Sequence, residues 1–366
     1  MIIQNIQLIN FRNYKELDID LPENGGIFEG PNGSGKTNLL EAIYFLCTGR
    51  SQRGAKKSEI INFNSDYIYS NGVFLDDKNF KITTSIGFNR NKNVVMKLNE
   101  AKIKKFTEWF GYRPIISFGV DDIQVIRGSP ENRRKFIDIL CSQIDKQYLS
   151  SLISYRYLLH SRNLLLSKKS NFDKIQCEIY EEKMAETGSL IFKIRNNIIL
   201  SLRNFFSDNY NIISGKKENV NIEYNPSIGN EIPCKEDWKN IFYNLLSERR
   251  IKDTEMGFTS IGPHRDDINF YIDQKPAKSY GSQGQCRSLV LALKLSSISC
   301  LEKNRSDKMI FLLDDAVSEL DPVRTSNVYP LIENRGQVFI ATPEINKGYS
   351  NSLTTYYVSD GKIRKR

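Results

Sequence analysis

Gly30-Pro31-Asn32-Gly33-Ser34-Gly35-Lys36-Thr37 matches the pattern G-x-x-x-x-G-K-[ST] in full. The glycines let the backbone curl until successive N–H groups point at one cluster of phosphate oxygens. Lys36 then reaches the β- and γ-phosphates of a nucleotide, and the Thr37 hydroxyl is placed to ligate Mg²⁺. Upstream, the apolar step Gly26-Ile27-Phe28 reads as a strand; downstream, Asn38 to Leu46 has helical spacing. The N-terminal dipole of that helix adds to the same anion site. A chance glycine-rich turn would lack this strand–loop–helix setting, so the stretch predicts an α/β fold that binds ATP.

A phosphate loop needs a carboxylate for its magnesium. Met309-Ile-Phe-Leu-Leu-Asp314-Asp315 offers an apolar run ending in two acids. A buried strand with Asp314 at its carboxyl end would deliver that side chain to the metal, and Asp315 would polarise the attacking water as general base. Ser282-Gln283-Gly284-Gln285 lies just before a helical stretch from Arg287 through Leu295, which reads as a second anion site at a helix N-terminus. Its plainer reading is an ordinary helix cap with Ser282 as N-cap. One chain already carries a complete phosphate loop, so a second site implies contact with the γ-phosphate of another subunit.

The 366 residues suffice for two or more domains, and 40% hydrophobic with 26% charged residues indicates an ordinary globular chain. The longest apolar runs, such as Met309 to Leu313, fall far short of the roughly 20 residues of a membrane helix. The N-terminal MIIQNIQLIN carries no secretion signal, and the expectation is a cytoplasmic protein without membrane contact. Cysteines 47, 141, 177, 234, 286 and 300 show no CxxC spacing, which fits reduced thiols rather than zinc. The only histidines are His160 and His264. Net charge is +9, and between Arg127 and Lys169 nine Lys/Arg face three Asp/Glu, which suggests a polyanionic partner.

Residues 67 to 98 alternate as in an antiparallel sheet. From Glu131 to Phe206 the pattern is helical, with Ile191, Ile194, Ile198, Leu202 and Phe205 recurring every three or four residues. A polar stretch, Asn209 to Pro233, precedes another helix around Trp238 to Arg250, and strand-like Met309–Leu313 and Val338–Ile340 restore the α/β character. The organisation expected is a nucleotide-binding head split between 1–118 and 255–366. Residues 119–254 would form an inserted, mainly helical lobe of short antiparallel helices.

Together these motifs resemble the ABC-type ATPases, in which an S-x-G-Q signature of one monomer closes on ATP held by the other. Ser318-Glu-Leu-Asp321 looks like the D-loop of that family, and Lys36 and Ser282 stand 246 positions apart, a layout similar to SMC and Rad50 heads. Phe11-Arg12-Asn-Tyr14, Gly128-Ser-Pro-Glu-Asn-Arg133-Arg134-Lys-Phe-Ile-Asp138, Arg162-Asn-Leu-Leu-Leu166 and Gly262-Pro-His264-Arg265-Asp266-Asp267 narrow the resemblance to the RecF family of bacterial DNA-repair proteins. The family usually reads Phe-Ser-Pro-Glu-Asp where this chain has Phe118-Gly119-Val120-Asp121-Asp122, and Thr342 stands in the place of the ABC switch histidine.

The resemblance implies an ABC-type P-loop ATPase head, a mixed sheet with helices, carrying the inserted lobe. It implies an ATP- and Mg²⁺-dependent DNA-binding protein of gap repair, replication and the SOS response. Such a protein forms ATP-driven homodimers, binds single-strand/double-strand junctions, and works with RecR and RecO to help RecA load. Its ATPase would be weak and DNA-stimulated, slowed by Thr342, with Arg12 near the γ-phosphate. Phosphate contacts are assigned to Arg133, Arg134, Arg156 and Arg162 in the basic helical block. The plainer reading of Arg133 and Arg134 is intramolecular ion pairing, with Asp121 or Asp122 as candidates. His264-Arg265-Asp266 reads as structural, since no serine or cysteine nucleophile stands beside it.

Three other classes compete. A transporter subunit normally has its signature much closer to the phosphate loop. A long-armed SMC protein needs a longer insertion. An SMC/Rad50-like ATPase with a nuclease partner stays as the alternative function.

Overall fold

Alternating apolar residues in Ile2–Phe11 and a left-handed turn at Arg12 (φ 53°) start the chain as a hairpin. The computed structural model describes all residues except 92, 169–172, 216, 230–237, 306, 315–327 and 346–352. The strands are β1 (Ile2–Phe11), β2 (Tyr14–Asp20), β3 (Gly25–Glu29), β4 (Tyr67–Leu75), β5 (Lys81–Asn89), β6 (Val94–Leu98), β7 (Ala101–Lys102) and β8 (Ile115–Gly119). They continue as β9 (Val220–Asn225), β10 (Asp267–Ile272), β11 (Lys275–Pro276), β12 (Met309–Asp314), β13 (Gly336–Thr342), β14 (Thr354–Ser359) and β15 (Lys362–Lys365).

The chain divides into two units. The first comprises Met1–Asp122, Ile212–Gly215 and Leu301–Arg366; the second comprises Ile123–Asn211 and Lys216–Cys300. In the first unit one six-stranded sheet runs β2-β1-β4-β5-β6-β7, all antiparallel. The other runs β15-β14-β3-β13-β12-β8 and is parallel apart from the β14–β15 hairpin. Parallel strands are covered on both faces, which is why Met309–Leu313 is apolar throughout rather than alternating, and all five of those residues are buried. The helix Lys36–Thr48 shares one core with both sheets. Leu39, Leu40, Ile43, Phe45 and Leu46 pack in it with Ile6, Leu8, Phe74, Ile86, Leu312 and Phe339.

The second unit is mainly helical: Pro130–Ile144, Lys146–Leu166, Lys174–Ser214 and Trp238–Met256 are helices, the third with its last residues assigned to the first unit. The expected short antiparallel helices are corrected here. Lys174–Ser214 is a single helix of 41 residues, about 60 Å at 1.5 Å per residue. Gly188 sits in its interior because a Cβ there would lie 2.5 Å from the Phe242 ring. The polar stretch Asn209–Pro233 also holds a strand, β9, which pairs with β10 in the three-stranded sheet β11-β10-β9. That pairing carries the second unit past the boundary drawn before residue 255, and the unit runs on to Cys300.

Candidate nucleotide site

β3 delivers the chain into the loop Gly30–Gly35, and the helix begins at Lys36. Gly35 adopts φ 119°, and a Cβ there would lie 2.5 Å from Asn13 Nδ2, so only glycine fits. The loop is held from behind by the turn Phe11–Tyr14. Asn13 Nδ2 donates to Ser34 O (3.1 Å), Tyr14 OH donates to Gly35 O (3.0 Å), and the backbone N–H of Gly361 donates to Ser34 O (3.1 Å). Asn38 Nδ2 in turn donates to Asn13 Oδ1 at 2.8 Å. In a trans peptide the C=O and N–H point in opposite directions. Fixing the carbonyls of Ser34 and Gly35 outward therefore aims the N–H groups of Gly35 and Lys36 into the concave side of the loop. Burial pushes the Tyr14 phenol well above the ordinary tyrosine range, which keeps it a donor. Asn13 and Tyr14 carried a family-like signal in the sequence, but no pattern there announced that they brace the loop.

Lys36 Nζ donates to Gly30 O (2.6 Å) and Pro31 O (2.9 Å), so its ammonium lies across the loop it belongs to. Pro31, Asn32 and Gly33 are exposed at the rim. Thr37 Oγ1 donates to Asp314 Oδ1 at 2.7 Å, although the two residues are 277 positions apart. Asp314 ends β12, which pairs with β13, and β13 pairs in parallel with β3, so two strands one place apart in the sheet present loop and carboxylate at the same sheet end. Ser34 Oγ is buried without a hydrogen-bond partner among the described residues. An orphaned hydroxyl inside the cradle, an ammonium across it and a hydroxyl–carboxylate pair at its edge fit a phosphate chain with Mg²⁺, a cation that takes few protein oxygens plus phosphate oxygens.

Arg12 is engaged elsewhere. Its Nε and Nη2 grip the two oxygens of Glu41 (2.9 and 3.0 Å), and Nη1 donates to Glu59 O (2.6 Å). Glu41 is buried on the helix that follows the loop. Thr342 ends β13 and donates to Glu344 O at 2.6 Å. In Phe118–Asp122, β8 ends at Gly119, a 3₁₀ turn spans Val120–Ile123, and the Asp122 carboxylate accepts the Gly119 N–H at 2.7 Å. Asp315, Ser318 and Asp321 lie outside the described residues.

Ser282 and Gln283 are exposed at the start of the helix Gln283–Asn304. Ser282 Oγ accepts the Gln285 N–H (3.2 Å) and Gln285 Oε1 accepts the Ser282 N–H (2.8 Å), a reciprocal cap of the kind the plainer reading named. Gly284 is half-buried behind them, and Gln285 Nε2 donates to Glu218 Oε1 at 3.0 Å.

The arginine assignments need correction. Arg133 is buried and forms a two-pronged pair with Asp267 (2.6 and 3.0 Å), so the intramolecular reading holds with a partner other than Asp121 or Asp122. Arg162 is 0% exposed, bonded to Glu181, Asp253 and Thr259. Leaving those carboxylates unpaired in the interior would cost about 3–5 kcal/mol, which makes Arg162 part of the scaffold and excludes phosphate contact. Arg134 is half-buried and donates to Asp266 O (2.7 Å). Of the four, Arg156 alone is largely exposed, and it pairs with Asp138 at 3.1 Å. A buried arginine that the sequence reading missed, Arg195, ties this block together through Asp138 (2.7 Å), Asp266 (2.6 Å) and Tyr148 OH (3.0 Å). His264 bonds Tyr155 OH (2.7 Å) and Thr259 O (3.1 Å), and burial lowers its pKa to about 4, so it serves structure as read.

A phosphate loop backed by a parallel sheet, a carboxylate ending a strand one place away in that sheet and a long insertion before the signature define an ABC-type ATPase head of the SMC kind. Residues 2–357 match the family described as RecF/RecN/SMC N terminal domain. The "DNA replication and repair protein RecF" of Streptococcus agalactiae is 37% identical over 99% of this chain and 98% of its own; that of Streptococcus pneumoniae is 35% identical over the same shares. The solved "Structure of the recombination mediator protein RecF-ATP in RecFOR pathway" superposes with a TM-score of 0.92 at 34% identity, covering 100% of this chain and 97% of the other. An SMC head domain from Pyrococcus furiosus, at 18% identity and TM-score 0.56, shares the fold alone. The chain belongs to the RecF family.

Proposed function

We propose that this protein is an ATP-gated DNA clamp of recombinational gap repair and replication. ATP sits in the loop Gly30–Thr37 with its phosphates facing the braced N–H groups, Lys36 and Ser34, while Thr37 and Asp314 hold Mg²⁺. Bound Mg²⁺ supplies charge neutralisation between the phosphate oxygens. Asp315, next in the sequence, polarises the attacking water as general base. The exposed Ser282 of a second copy closes on the γ-phosphate, so ATP adds affinity only in the closed dimer. Hydrolysis, weak and DNA-stimulated with threonine at position 342, releases the clamp. The substrate is DNA at single-strand/double-strand junctions, and the partners are RecR and RecO, which with this protein help RecA to load.

The single observation that carries the reading is the Thr37–Asp314 hydrogen bond, which joins the two halves of a nucleotide site from opposite ends of the sequence. The similar RecF-ATP structure supports the choice of nucleotide. Size measurement should give dimers with ATP and monomers without it, and Ser282→Arg should abolish the dimers while leaving ATP binding by the monomer intact. Dimers that persist in Ser282→Arg would overturn the proposal.

A further inference from the structure

A second set of accessible basic residues lies in the first unit, away from the arginines discussed above. From Arg50 to Lys105 there are twelve Lys/Arg against five Asp/Glu. Arg50, Arg53, Lys56, Lys57, Lys97 and Lys102 are all exposed. Lys97 on β6 stands directly opposite Lys102 on β7 at the end of the antiparallel sheet. Like charges facing each other across a strand pair are unfavourable, and among the described residues no carboxylate is bonded to either.

The same outward face carries aromatic rings. Ile68, Phe74, Ile82, Ile86 and Phe88 point into the core, so the alternate residues of β4 and β5 point out. Tyr67 (52% exposed) and Tyr69 (37%) are neighbours on that face, about 7 Å apart. Across the register Tyr69 meets Gly87 and then Val95, so no side chain stands between the Tyr69 ring and the β6 edge. Phe63 (93% exposed) sits in the loop just before Tyr67, held there by Arg90, whose guanidinium donates to Phe63 O (3.3 Å) and Ser65 O (3.0 Å). At the opposite end of the sheet Glu16, Asp18 and Asp20 line β2, with Asp18 and Asp20 bonded to Asn5. The face thus runs from acidic to basic with exposed rings between.

We infer that this face of the antiparallel sheet, Tyr67 and Tyr69 with Phe63 beside them and Lys97 and Lys102 at the edge, binds single-stranded nucleic acid. Rings on an open sheet stack on unpaired bases, whereas a duplex keeps its base faces hidden and offers phosphates alone. The lysines take the phosphates, and the acidic β2 end turns the strand toward them. Lysines on an edge strand also deter pairing with a second sheet, a role that leaves no trace in the salt dependence of oligonucleotide binding. The inference rests on the nucleic-acid part of the proposed function and adds where, and in which form, the strand is held.

The test is binding of a labelled oligothymidylate and of a duplex of equal length to the full chain with Mg²⁺-ATP at several salt concentrations. Tyr67→Ala/Tyr69→Ala should weaken oligothymidylate binding tenfold or more and duplex binding less than twofold, with the salt slope unchanged. Tyr67→Phe/Tyr69→Phe, which keeps the rings, should restore wild-type binding. Lys97→Gln/Lys102→Gln should lower the single-strand salt slope by about 1.4, at roughly 0.7 for each phosphate no longer neutralised. Equal losses for both nucleic acids in the alanine variant, or none, would overturn the inference while leaving DNA binding standing. A wild-type chain that bound neither probe would remove both.

Discussion

At the scale of single residues, the site depends on groups that never touch a nucleotide. Tyr14 reaches the loop only through its hydroxyl on Gly35 O, while its ring is buried in the core. Tyr14→Phe keeps the ring and removes one hydrogen bond, a change of about 0.5–1.5 kcal/mol. The expected outcome is an ATP KM raised several-fold with kcat nearly unchanged, since the brace serves ground state and transition state alike; steady-state kinetics checks it. His264 gives a pH signature. Its pKa is near 4 in the fold against an ordinary value of 6.5, so the stability it supports is complete above pH 6.5 and is lost as pH falls toward 4. The loss is at most about 3 kcal/mol. Thermal melts of wild type and His264→Gln should therefore converge as pH falls through that window, and parallel curves would contradict it. That the loop, Lys36, Thr37 and Asp314 come together was legible from sequence, because the loop pattern after a strand and the apolar run ending in Asp are local and regularly spaced. The pairings of Arg133 and Arg162 were not. Their partners Asp267, Glu181 and Asp253 lie 19 to 134 positions away, and a local charge count cannot see them.

At the scale of elements, periodicity was a good guide wherever one face is buried. The antiparallel strands within 67–98 and the apolar strand at Met309 appear where alternation and continuity predicted them. The long helix was not foreseen because helical periodicity marks residues as helical without marking where one helix ends, and Gly188 lies inside it. The glycine answers a packing demand: Phe242 occupies the space a methyl would need. Alanine is normally better than glycine inside a helix by about 0.5–1 kcal/mol. Here overpacking, about 1–3 kcal/mol, should outweigh that gain. Gly188→Ala is expected to lower Tm, and Gly188→Ala/Phe242→Leu to recover most of the loss in a melting experiment. Strand β9 escaped notice because its six residues, Val-Asn-Ile-Glu-Tyr-Asn, sit in a run of Asn, Gly and Lys, with their only described sheet partner in β10, more than forty positions on.

At the scale of the whole molecule, the net charge of +9 conceals two different populations. In the second unit Arg133, Arg162 and Arg195 are buried and paired with carboxylates, while in the first unit Arg50, Arg53, Lys56, Lys57, Lys97 and Lys102 are exposed. The split layout has a further consequence for biosynthesis. β3, which launches the phosphate loop, is flanked in its sheet by β13 and β14. When the first 122 residues leave the ribosome, both edges of β3 are bare, and they stay so until Gly336–Thr342 and Thr354–Ser359 have been made. Nascent chains expose such edges to aggregation, and closing so long a loop slows folding. A fragment of residues 1–122 should therefore remain largely unfolded and fail to retain a fluorescent ATP analogue, whereas co-expression with residues 123–366 should restore retention. On this protein the nucleotide pocket is the last part of the head to exist, and a ribosome that stalls before the final strands releases a chain that carries the whole phosphate loop and none of its function.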